Sequence, residues 1–170
     1  MEQGQLEFEV GQLVMMPLSG PFEITGITED KILGSDYRFL ELRSPEDNAR
    51  LRIPVPQAPS RGVRGLMSKD VIDAAMEQPV ALGQPDDRWR TRRSEWLARL
   101  RSGEPRARLE VLSEMRAIPR NKITPDELRM HQSAHHVFCY EMQQAHGLSA
   151  AEANQKLNQF LEGGVLTPVV

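Results

Sequence analysis

Cysteine is almost missing: Cys139 is the single one in 170 residues. One thiol closes neither an internal disulfide nor a zinc cage, so a reducing compartment is expected. Long apolar runs are missing too. Stretches such as 13–16 fall far short of the roughly eighteen residues a membrane span needs. The opening Met1-Glu2-Gln3-Gly4 shows no basic region followed by an apolar stretch, so no signal peptide is expected. Glycine and proline, twelve of each, are at ordinary usage, which excludes collagen-like and low-complexity chains. The phosphate-cradling patterns G-x-x-x-x-G-K-[ST] and G-x-G-x-x-G and the nucleophile elbow G-x-S-x-G do not occur. A cytoplasmic protein without catalytic residues or cofactor is the expectation. The length suits one ordinary domain or two small ones with a real core.

The net charge of −3 is unevenly placed. Residues 85–122 carry eleven Lys/Arg against six Asp/Glu, while the segments on both sides are net acidic. Screening confines each field to about 8–10 Å at physiological salt, so a basic segment inside an acidic chain can still hold phosphates. A solvated, arginine-rich helix face fits the same numbers.

Strand signals fill the first third. Residues 13–16 form a short apolar run closed by Pro17 and the turn residues Ser19-Gly20-Pro21. Residues 22–25 alternate, with Ile27 continuing after Gly26, and Gly34-Ser35-Asp36 reads as a turn before the strand 37–43. Residues 49–54 alternate with Leu51 and Ile53 on one face and Arg50 and Arg52 on the other. Short strands at this spacing predict a small, curled antiparallel sheet or barrel.

Helical signals fill the remainder. Ser68 caps a short helix over 69–76, and 79–85 reads as a linker. Asp86 or Asp87 caps a helix to about Arg101, which Ser102-Gly103 stops. A third helix spans 105–118, with Leu109, Leu112 and Met115 at spacing three. Thr124-Pro125-Asp126-Glu127 and Ser149-Ala150-Ala151-Glu152 are capping boxes that open the last two helices. The fold class is therefore α+β, with a β module over 1–67 and a helical module over 68–170.

Catalytic constellations are weak. His131 and His135 lie four apart on one helical face, as zinc pairs do, but position 132 is Gln and the general base of H-E-x-x-H is absent. Cys139 beside His135 and His136 suggests a thiolate–imidazole pair or mere packing. A small metal-dependent enzyme built on these histidines is one rival reading. The sharper feature is the helix holding Trp89 and Trp96. At 100° per residue Trp89, Trp96, Leu97 and Leu100 share a side, and most arginines lie elsewhere. Either both tryptophans anchor the core, or Trp89 projects past it amid Arg88, Arg90, Arg92 and Arg93 as a ring that wedges or stacks among phosphate-bound nucleotides.

The order of motifs over roughly 6–162 resembles the CarD/CdnL family of bacterial RNA polymerase-binding regulators. Phe8-Glu9-Val10-Gly11-Gln12-Leu13-Val14 is similar to its F-x-x-G-D-x-V opening, and Leu51-Arg52-Ile53-Pro54 to x-R-V-P. Gly62-Val63-Arg64 is similar to G-V/M-R, and Trp89-Arg90-Thr91-Arg92-Arg93 to W-S-R-R. Ser102-Gly103-Glu104 is similar to S-G-D, Leu109-Glu110-Val111-Leu112 to A-E-V-V, and Glu127-Leu128-Arg129-Met130 to E-x-R-x. Each motif is weak singly, and their shared order makes the match specific.

The resemblance implies a Tudor-like, SH3-type barrel docking on the polymerase β-subunit lobe/protrusion, followed by a compact helical domain on promoter DNA. It implies Trp89 as a minor-groove wedge at the upstream edge of the bubble, with Arg88, Arg90, Arg92 and Arg93 as backbone contacts. Arg52, with Arg50 and Lys31, is the expected polymerase surface. The outcome is a stabilised open complex without sequence readout. The chain departs from the pattern where Met16 and Ser19 replace Tyr and His, and where Asp30 stands at an often basic position. A divergent paralogue that binds only protein is the alternative.

Overall fold

Alternation and turn chemistry make a five-stranded antiparallel sheet in the first third of the chain. The computed structural model describes residues 7–81 and 84–163. The N-terminal stretch 1–6 and residues 82 and 83 of the expected linker lie outside the described residues. Two compact units divide at Leu66 and Met67, and the class is α+β.

The strands are β1 (Leu13–Met16), β2 (Gly20–Ile32), β3 (Ser35–Arg43), β4 (Arg50–Pro54) and β5 (Arg64–Gly65), in the order β4-β3-β2-β1-β5. A 3-10 turn, Val55–Gln57, precedes β5. Ile27, Leu40 and Ile53 stand in register across three strands, as do Ile24, Leu42 and Leu51. These rows share a face with a core of Val14, Phe22, Ile24, Leu40, Leu42 and Ile53. Ile24 and Ile27 are three apart, a spacing that strict alternation would send to opposite faces. A register shift between Ile24 and Gly26 resets the pleat and returns Ile27 to the core side. The opposite face carries Thr28, Glu41 and Arg52 in neighbouring strands.

Two details differ from the sequence expectation. The β2–β3 hairpin turns at Leu33-Gly34, both at positive φ (51° and 82°), rather than at 34–36. That is the two-residue geometry glycine and asparagine favour, so a leucine there hides the turn from inspection. Leu51 lies on the core face as expected but is 38% exposed, because β4 is an edge strand and covers it poorly.

The helical unit comprises α1 (Lys69–Ala75), α2 (Trp89–Arg101), α3 (Pro105–Ala117), α4 (Pro125–His146) and α5 (Ala150–Glu162). Ser68 caps α1, and both capping boxes close reciprocally at α4 and α5. The start of α2 falls later than Asp86 or Asp87. Asp86 accepts the Arg88 backbone N–H at 2.7 Å, a local turn that delays helix entry and leaves Arg88 as N-cap. Gly103, at φ 76°, lets the chain reverse into α3. Trp96, Leu109, Leu112, Phe138, Met142 and Leu157 are among its buried residues. Among the described residues no helix is long and apolar enough to cross a membrane.

Candidate functional site

Helix α2 separates its two tryptophans. Trp96 is buried, and its indole N–H donates to Glu114 Oε2 at 2.8 Å. Arg99 donates to the same carboxylate at 2.8 Å and to Glu110 at 3.1 Å, joining α2 to α3. Trp96 is thus an anchor with a satisfied polar handle. Trp89, the first residue of α2, is 45% exposed.

The four arginines expected around Trp89 take four different positions. Arg88 is exposed and pairs with Asp86 at 3.0 Å. Arg90 is exposed, its guanidinium carbon 5.3 Å from the Trp89 ring centroid. Arg93 is half-buried, and its Nε is enclosed without a hydrogen-bond partner. Arg92 is interior. Its Nε and Nη2 donate to the two Glu127 carboxylate oxygens at 2.5 and 2.9 Å, with 5% and 0% of the two side chains exposed. It also donates to the carbonyls of Asp87 (3.2 Å) and Lys122 (3.0 Å). Arg92 therefore leaves the set of phosphate contacts: its guanidinium is buried, with four of its five N–H donors committed inside the protein. Burial raises the Glu127 carboxyl, but hydrogen bonds from Arg92 and Thr124 outweigh it and hold the group below the ordinary carboxylate value.

Around Trp89 opens a groove of about 750 Å³. Pro85, Asp87 and Trp89 form one side, and Ile118, Pro119 and Lys122 from the α3–α4 connection form the other. Arg120 and Lys122 are exposed on that connection. Inspection of the sequence passed over both, although Pro119-Arg120-Asn121-Lys122 directly before a capping box marks a basic loop. The site thus combines an exposed indole with cations from two separate elements.

On the sheet's polar face Arg52 is enmeshed. Its Nε donates to Glu41 at 2.7 Å, its Nη2 donates to Thr28 Oγ1 at 3.2 Å and also contacts Asp30, and the guanidinium lies 4.1 Å over the Phe39 ring. Asp30, the acidic departure from the resembled pattern, is one of its two carboxylate partners. Arg50 is exposed on edge strand β4 opposite Arg43, and Lys31 is exposed within 4.0 Å of Asp36.

The histidine cluster on α4 offers little chemistry. The His131 and His135 rings lie 6.0 Å apart, and burial holds His131 down at about 4. Cys139 Sγ is 3.7 Å from His135 Nδ1, but burial pushes the thiol up to about 11 and lowers His135. A thiolate–imidazolium pair needs both charges, and burial opposes each. Among the described residues no three His, Cys, Asp or Glu side chains are grouped to hold a metal.

Neither a family model nor a curated protein matches the chain.

Proposed function

We propose that the protein is a CarD-like transcription regulator, a non-enzymatic adaptor between RNA polymerase and promoter DNA. The observation that carries this reading is the split between the tryptophans: Trp96 is hydrogen-bonded in the core, whereas Trp89 is exposed between Arg88 and Arg90 and shares a groove with Lys122. Cations at this density give sequence-independent attraction to phosphates, and an aromatic ring selects distorted or opened DNA. The strand order, with a 3-10 turn before β5, supports a Tudor-like, SH3-type arrangement for the first unit. Its edge strand β4 presents Arg50 and Arg52 to the polymerase β lobe/protrusion. Docking there tethers the weak DNA site at the upstream edge of the bubble, so high local concentration replaces intrinsic affinity. This places the protein in the cytoplasm, on polymerase at promoters, with no cofactor.

The test is binding to forked promoter DNA with and without bacterial RNA polymerase across a salt series. Binding that polymerase tightens and that weakens steeply with salt supports the adaptor. Affinity unchanged by polymerase, or insensitive to salt, contradicts it. A second reading, a module that binds only protein, is favoured by one observation: Glu41 and Asp30 already neutralise Arg52. For that reading, partner binding is indifferent to DNA and to Trp89→Ala.

A further inference from the structure

Trp89 does not stand on a ridge. It is one of the residues that line the 750 Å³ groove, together with Ile118 and Pro119. The Arg90 guanidinium approaches the same ring at 5.3 Å, and Arg90 does not line the groove. A cation thus engages the ring from a residue outside the groove's lining. Wedging between stacked base pairs uses both faces of a side chain, whereas a stacking platform uses one.

Resting on the reading of Trp89 as a nucleic-acid contact, we propose that the groove is a pocket for a single unpaired nucleotide base, stacked on Trp89 with its phosphate toward Lys122. The groove's volume lies within the range of small-molecule sites. Its apolar walls, Pro85, Ile118 and Pro119, suit the faces of a base. The charges orient the nucleotide: Asp87 repels phosphate from the α2 side, and Lys122 attracts it on the other. Both sides hang on one buried side chain, since Arg92 binds the carbonyls of Asp87 and Lys122. The pocket is therefore pre-organised, and binding does not have to order it. Two of its polar side chains are already engaged: Arg92 is committed to Glu127 and the two carbonyls, and Thr124 Oγ1 accepts the Glu127 N–H. Such a pocket selects an unpaired base over a paired one.

Trp89 and Trp96 are the only tryptophans, so the ¹⁵N-labelled full chain gives two indole N–H resonances, with buried Trp96 as internal control. We would titrate it with a flush DNA hairpin and with the same hairpin carrying one extrahelical base. The Trp89 resonance should respond to the bulged hairpin at roughly tenfold lower concentration, the fold-change that about 1.4 kcal/mol of stacking represents. Ile118→Glu, which lines the groove with a second carboxylate, should remove that preference while the Trp96 resonance stays in place. Equal response to both hairpins overturns the base pocket and leaves the phosphate-contact reading standing. No response of Trp89 to either overturns both.

Discussion

Replacing Arg92 by Met removes the charge from a buried ion pair and strands its partner. In the native chain Glu127 is fully enclosed and accepts from Arg92 at 2.5 and 2.9 Å, while also accepting the Thr124 backbone N–H at 2.8 Å. Breaking such a pair from one side costs about 3–5 kcal/mol, chiefly from the uncompensated buried charge. In the helical unit, on the order of 100 residues, each kcal/mol lowers Tm by about 4–8 °C, so the variant's helical unit should melt at least ~12 °C lower. The pH dependence should also change sign. Native Glu127 is held below its ordinary value of 4.5, so it contributes stability above that value and loses it as pH falls through the folded pKa. Without Arg92 burial dominates and raises the carboxyl, and protonation then relieves the stranded charge. Across the carboxylate range the variant's deficit should shrink as pH falls. Urea melts of both proteins at several pH values measure this directly. A second substitution, Glu127→Leu, should recover part of the loss but not the α4 cap, worth about 1 kcal/mol. A deficit under ~1 kcal/mol, or one that grows toward low pH, refutes the reasoning.

Trp89→Ala should leave stability within about 0.5 kcal/mol of wild type in urea melts, because the ring is half-exposed and only its binding role is lost. Leu33→Gly should stabilise the sheet unit by about 1 kcal/mol, since a fully exposed leucine at φ 51° bears left-handed strain without burial in return. A destabilised Leu33→Gly protein would contradict that view of the hairpin. His131 is held near 4 against an ordinary 6.5 by burial, with His135 and Arg116 adding to it. The unfolded chain therefore binds the extra proton between those values, and His131 subtracts stability as pH falls from 6.5 to 4. His131→Gln should flatten the stability profile over that window, and an unchanged slope would dismiss the burial argument.

Local signals in this chain were legible, and pairings across distance were not. The capping boxes at Thr124 and Ser149 use residues three apart, so both helix starts could be read directly. The alternation of β4 likewise put Arg52 outward. The fate of Arg92 depends on Glu127, 35 residues away. One clue existed: Arg92, Trp96 and Leu100 recur at spacing four and are the buried residues of α2. Charge overrode that spacing in the sequence reading. The turn at Leu33-Gly34 escaped because leucine is no turn residue, and the bulge after Ile24 escaped because it breaks the period by which strands are recognised. Lys122 reaches the Trp89 groove only through tertiary folding, so the candidate site was half-visible beforehand.

The adaptor account is tested most directly by the lifetime of open complexes formed by bacterial RNA polymerase on a ribosomal-type promoter. Wild-type protein should lengthen that lifetime, and both Trp89→Ala and Arg52→Glu should abolish the effect, the first with polymerase binding intact and the second without it. An unchanged lifetime with wild-type protein demonstrably bound to polymerase would contradict the account.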